Sequence, residues 1–224
     1  MRRIRGVTIA AVLVTALMVR PAWPGPGFQP PGIASAGNIA YPTNVMATGI
    51  VMLVANLDSS GNLQNLDVLR DVPSLTSVAS AGVKSWGFIP ALLDGQPVPS
   101  VLPVSVVFNP FNPAGVGSLS LTISLSHATP GATTGYMPPQ ITAASFATYP
   151  TNSLASGAVV LDVTIGSIGK VAKVHVIRDV QSLTPQATKA VRTWAFSPAT
   201  FQGTMITSHM VIAFVFPSPG TGSF

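Results

Sequence analysis

The stretch WGFIPALLDG at residues 86–95 recurs as WAFSPATFQG at residues 194–203. A tryptophan, a phenylalanine, a proline and a glycine keep their places, and the shared positions hold no acid or base. The echo is part of a longer one. At an offset of 108 residues, YPTNVMATGIVML from Tyr41 falls on YPTNSLASGAVVL from Tyr149, and VLRDVPSLT from Val68 falls on VIRDVQSLT from Val176, without a gap. The match runs from PPGI (30–33) against PPQI (138–141) to Phe108 against Phe216. Two copies of one structural unit are expected. The chain divides into a leader (1–26), a first unit (27–108), a linker with an extra strand (109–137), a second unit (138–217) and a tail (218–224).

Composition narrows the fold. Apolar residues make up 47% and charged residues 8%, with 20 Gly and 21 Pro among 224 residues, too hydrophobic for a disordered chain and too rich in turns for a helical bundle. The formal charge of +5 suggests nucleic acid until its location is read: Arg2, Arg3, Arg5 and Arg20 supply four of the eleven basic residues, leaving seven against six aspartates. No nucleic-acid partner is implied. The basic start and the apolar run Gly6 to Val19 have the form of a secretory signal. That run is short of the ~20 residues a membrane span needs. Cleavage is expected between Ala22 and Gly27, with membrane attachment only if the leader is retained. With no Cys there is neither a lipid-anchored cysteine nor a disulfide framework.

Periodicity sketches each unit. Val159, Leu161, Val163 and Ile165 alternate with Val160, Asp162 and Thr164 in a strand with one strongly apolar face, matched by Val51 to Leu57. The turns DSSGN and GSIGK carry glycine where a hairpin needs positive φ. A second strand follows, then SLTPQATKAVRTW, in which Thr184 suits an N-cap and Pro185 the first helical position. Ala187, Ala190, Val191 and Trp194 share one helical face, as do Ala79, Gly82, Val83 and Trp86, where Gly82 weakens the helix. Pro90 and Pro198 stop it, Gly95 and Gly203 turn the chain, and a last strand carries Leu102, Val104, Val106 and Phe108, or Met210, Ile212, Phe214 and Phe216, on one face. The fold class is α+β: β-β-α-β units, each a small antiparallel sheet with one helix packed on it. Within the linker, Leu119, Leu121, Ile123 and Leu125 alternate with Ser and Thr, a strand expected to add to the first sheet.

The YP lead, the G-x-V-x-L strand, the glycine hairpin, the helix ending W-x-F-x-P-A and the last strand ending in Phe together resemble the TonB C-terminal domain family, in both copies. The resemblance implies a periplasmic or envelope protein of a Gram-negative bacterium, with no chemistry and no cofactor. In that family a short extended peptide of an outer-membrane receptor adds as a strand to the sheet edge, which needs free backbone donors and acceptors. The residue before Tyr-Pro is Ala40 or Thr148 where the family has Gln. Only about ten residues join leader to first unit, roughly 30 Å even as polyproline, too short to cross the periplasm from an anchor.

The surface so implied comprises Tyr41, Pro42, Tyr149 and Pro150 and the last strand of the second copy, His209, Val211, Ala213 and Val215. That strand has no proline from Thr204 to Phe216 and is apolar on its other face too, so its edge is expected to pair with a partner or with a second copy as a homodimer. Pro97, Pro99 and Pro103 mark the first copy's last strand as short or at an edge. Trp86 and Trp194 are expected in the core, and Arg70-Asp71 and Arg178-Asp179 in local ion pairs or caps. His127, His175 and His209 lack the spacing of a metal pair, and no HExxH or GxSxG occurs. Two other readings stay open: a transducer variant coupling an inner-membrane motor to outer-membrane transport, and a structural envelope protein assembling through the 204–216 edge.

Overall fold

The structure, a computed structural model, describes residues 27–43, 45, 47–110, 120–122 and 135–218. Phe28–Gln29 (β1) and Gly32–Ser35 (β2) precede a long hairpin of Gly49–Leu57 (β3) and Leu63–Arg70 (β4). Helix Thr76–Val83 (α1) follows, then Gly87–Ile89 (β5), the hairpin Ala91–Leu93 (β6) and Gln96–Val98 (β7), and Ser100–Phe108 (β8). After Ser120–Thr122 (β9) come Tyr136–Met137 (β10), Gln140–Ser145 (β11), Gly157–Ile165 (β12), Val171–Arg178 (β13), Thr184–Val191 (α2), Ala195–Ser197 (β14), Ala199–Phe201 (β15), Thr204–Ile206 (β16) and Ser208–Phe216 (β17). The described residues are mostly β with two helices, consistent with α+β.

The expected pair of separate small sheets is replaced by one. Its six strands run β13-β12-β17-β8-β3-β4, and the two last strands meet at its centre. Every neighbouring pair is antiparallel except β17–β8, which is parallel from Val211↔Val104 to Val215↔Phe108. The register is one residue off the repeat, since Val104 faces Val211 and not its counterpart Ile212, and a one-residue shift brings opposite faces of the two halves to each side of the sheet. Leu102, Val104, Val106 and Phe108 therefore pack with Leu75, Ala79, Val83 and Trp86, and also with Val211, Ala213 and Val215 from the other half. On the opposite face Met210, Ile212, Phe214 and Phe216 pack with Leu183, Ala187, Val191 and Trp194, joined by Ile50, Met52 and Val107. One helix lies on each face. This accounts for the two-sided apolar character of β17: its second face serves the first helix, and each fully buried valine there contributes about 1.5–3 kcal/mol.

Pro103 fits the same picture. β8 pairs with β3 along all nine residues, but with β17 only from Val104 onward, so the proline lies outside the parallel seam. β8 is nonetheless an interior strand, not the edge its prolines suggested. The linker strand is also placed differently. β9 pairs not with the first sheet, where β17 already occupies the free side of β8, but with β11, in a small sheet β14-β11-β9. The leader, most of the linker and residues 219–224 lie outside the described residues.

Local chemistry shapes the connections. Asp94-Gly95 and Gln202-Gly203 turn the β6–β7 and β15–β16 hairpins with φ of 50° and 80°, and 49° and 80°. Two consecutive positive φ values are what a type I′ turn needs, and glycine accepts the second without strain. Thr184 is not the N-cap; Leu183 is. The Thr184 hydroxyl instead accepts from the Val180 N–H (3.0 Å) and donates to the Val180 carbonyl (3.2 Å), as Thr76 does with Val72. The helices end at Val83 and Val191, so Trp86 and Trp194 lie in the turns beyond them, their backbone N–H groups bonded to Val83 and Val191 carbonyls. Gly82 has a packing reason: a Cβ there would stand 2.5 Å from Ile39 Cγ1. The counterpart pair is Ala190 and Ala147, so one half exchanges an Ile and a Gly for two alanines.

Candidate partner-binding surface

Tyr41 and Tyr149 are pinned. Each hydroxyl donates at 2.6 Å to a carbonyl six residues on, Ala47 or Ala155, and each ring stands edge-on to the Phe that closes its half, Phe108 at 5.5 Å and Phe216 at 6.1 Å. Burial pushes the Tyr41 hydroxyl pKa up to about 12. Pro42 and Pro150 are half-buried beside them. These residues brace the loop entering β3 or β12.

The last-strand residues expected at a free edge are internal. Val211, Ala213 and Val215 have no exposed surface and pair on one side with Asp162, Val160 and Ala158 and on the other with Val104, Val106 and Phe108. A backbone bonded on both sides has no donors left for an incoming strand. His209, just before the seam, is half-buried, and its Nδ1 lies 3.0 Å from Asp162 Oδ1. Among the described residues Arg70 and Arg178 form neither the expected ion pairs nor helix caps: Nη1 donates instead to the strand carbonyls of Ile50 and Ala158 at 2.6 and 3.1 Å, beside the bulges in β3–β4 and β12–β13.

The edges that stay open are others. Among the described residues the six-stranded sheet ends in β4 and β13, where Val68 and Val176 are 46% and 37% exposed. β4 carries Asp67, which accepts at 2.7 Å from Asn65 of the same strand and from Asn56 of β3. Its hairpin is tied at Asp58, whose carboxyl is held below its ordinary range by hydrogen bonds, first from Asn62. β13 carries Lys173 and His175, both exposed. β2 is a third edge strand, paired among the described residues only with β5, and the three-stranded sheets end in β1 and β7, β10 and β16, and β14 and β9. Sequence reasoning missed the edges at β4, β13 and β2, because periodicity reports which face of a strand is buried, not which side is paired.

One comparison bears on this surface. Residues 148–217 match the family model of the Gram-negative bacterial TonB protein C-terminal. The matched span holds β12, β13, α2 and β14 to β17. No curated protein and no solved structure matches the chain. The TonB match thus rests on the second half, the half whose last strand is joined to β8. Among the described residues no helix is long and apolar enough to cross a membrane, and no group of three or more metal-ligating side chains occurs.

Proposed function

We propose that this protein is an exported, non-catalytic TonB-like protein of the Gram-negative envelope. In this reading two TonB C-terminal-type units, residues 27–108 and 138–217, are joined edge to edge and hold protein partners by strand addition, with receptors of TonB-dependent outer-membrane transport the first class to examine. The TonB match over 148–217 supports the family, and the recurrence of its elements 108 residues earlier supports a second unit. The observation that carries the reading is the β17–β8 seam. It occupies both last strands, on which the family resemblance would seat a peptide. Partners are therefore expected at the outer edges, not at His209, Val211, Ala213 or Val215.

Assembly through the 204–216 edge, the structural alternative, loses its basis for the same reason. The experiment is photo-crosslinking of the full chain in envelope preparations, with the crosslinker placed in turn at Val68, Val176 and Ser35, one on each of β4, β13 and β2, and at half-buried Gln186 of α2 as a control. Partners captured from one or more edges support strand addition. Capture from Gln186 alone, or from none of the four, overturns it.

A further inference from the structure

The two halves differ at one place where a backbone hydrogen bond should be. Trp194 is 3% exposed and its Nε1 donates to the Ser145 carbonyl at 3.0 Å. Trp86, its counterpart, is 6% exposed, and its Nε1 is buried with no partner among the described residues. Leaving a buried donor unpaired is costly, so such an atom calls for an explanation. The residue corresponding to Ser145 is Gly37. The Trp86 ring faces it: Cδ1, bonded to Nε1, lies 4.0 Å from where a Cβ on Gly37 would stand.

The difference traces to a strand. β11 runs on to Ser145, and β9 holds its last three residues extended through Thr122↔Ala143, Leu121↔Ala144 and Ser120↔Ser145. β2 has no such neighbour among the described residues and ends at Ser35, two residues short of Gly37. Ala144 is buried at 3%, whereas its counterpart Ala36 is only half-buried. An edge strand, a half-covered alanine and an orphaned indole N–H thus meet at one spot.

We infer that the outer edge of β2, residues 35–37, is the docking site for an extended segment of a partner protein. The segment adds antiparallel to β2 as β9 adds to β11. Its arrival extends β2 to Gly37, whose carbonyl then takes the Trp86 N–H. The chemistry of the occupant is read from β9: hydroxyl residues alternating with branched apolar ones, as in Ser120-Leu121-Thr122, with the apolar residue opposite Ala36 and backbone groups providing most of the recognition. This site rests on the strand-addition reading and names the edge that serves it.

The test uses the full chain and a synthetic peptide of residues 118–127, SLSLTISLSH, the sequence that surrounds β9. The indole Nε1–H resonances of Trp86 and Trp194 are followed by NMR, with amide exchange at 35–37. A saturable downfield shift of the Trp86 N–H, new protection at 35–37 and an unmoved Trp194 are expected. A peptide N-methylated at alternate residues should bind at least tenfold more weakly, without any change to the protein's own fold. Ala36→Pro should have the same effect. Protection at 35–37 before peptide is added, or a Trp86 shift that grows with protein concentration alone, overturns the proposal in favour of the chain itself or a second copy. Binding that protects β4 or β13 instead overturns this site and leaves strand addition standing, whereas binding at none of the three edges, with no edge crosslinks in the envelope, removes both.

Discussion

Gly82 is the penultimate residue of α1, and within a helix glycine costs up to about 1 kcal/mol relative to alanine. By helix propensity alone Gly82→Ala should stabilise the protein by that amount. The packing says otherwise. The added methyl would stand 2.5 Å from Ile39 Cγ1, 3.1 Å from Cδ1 and 3.5 Å from Cβ, and Ile39 is itself a buried core residue, 1% exposed. Overpacking of this kind costs about 1–3 kcal/mol, so the single variant should lose about 0–2 kcal/mol. Ile39→Ala alone opens a cavity and should lose about 2–5 kcal/mol. Combined, the two reproduce the Ala147–Ala190 pair of the other half: the new methyl enters vacated space and the propensity gain is no longer opposed. The double variant should therefore be more stable than the sum of the singles predicts, by at least about 1 kcal/mol. Urea unfolding followed by tryptophan fluorescence, with midpoints compared at unchanged slope, measures each term. The argument fails if Gly82→Ala alone gains the full ~1 kcal/mol, or if the singles add within about 0.5 kcal/mol.

Other outcomes follow from the same structure. Trp194→Phe leaves the Ser145 carbonyl without its donor while Trp86→Phe removes a donor with no partner among the described residues, so the first should cost more, by about 1 kcal/mol in chemical unfolding; equal costs would mean the two N–H groups are equally satisfied. Val211→Pro breaks a ladder in a strand paired on both sides, so it should lower the unfolding temperature of the whole protein, and an unchanged temperature would argue against the β17–β8 seam. Tyr41 has its folded pKa raised by burial from 10.0 to about 12, which favours the neutral phenol in the native state. Its contribution is then complete below pH 10 and is lost as pH rises towards 12, so wild type should lose more stability than Tyr41→Phe over that window. Parallel pH profiles for the two would contradict the burial of that hydroxyl.

Much of this architecture was legible because the repeat allowed each half to be checked against the other. The strand faces, the two helices, the glycine turns and the buried tryptophans follow from apolar spacing and from the offset of 108. The seam did not follow, although its signal was present. Val211, Ala213 and Val215 make β17 apolar on both faces, which an open edge and an interior strand share equally. Periodicity has a side-chain origin and is blind to where the backbone N–H and C=O groups go. For that reason an internal strand was read as a free edge and the edges β2, β4 and β13 were passed over. The three-residue strands β6, β7, β15 and β16 carry too few residues to show alternation. Tyr41 and Tyr149 were ambiguous for another reason: an aromatic beside proline suits a peptide groove and a loop brace equally well, and the hydroxyl bonds to Ala47 and Ala155 are what show the brace.

The distance along the chain between β8 and β17 has a consequence for biogenesis. When Phe108 leaves the ribosome, β8 can already pair with β3, but its other side must wait for residues 211–215. At typical synthesis rates of 5–20 residues per second, that interval is about 5–20 s. For that time, or for as long as an exported chain takes to cross a membrane, a bare apolar strand is available to any passing neighbour. A holding chaperone that recognises unpaired strands would find its most demanding client window there, closed only when the last long strand is delivered.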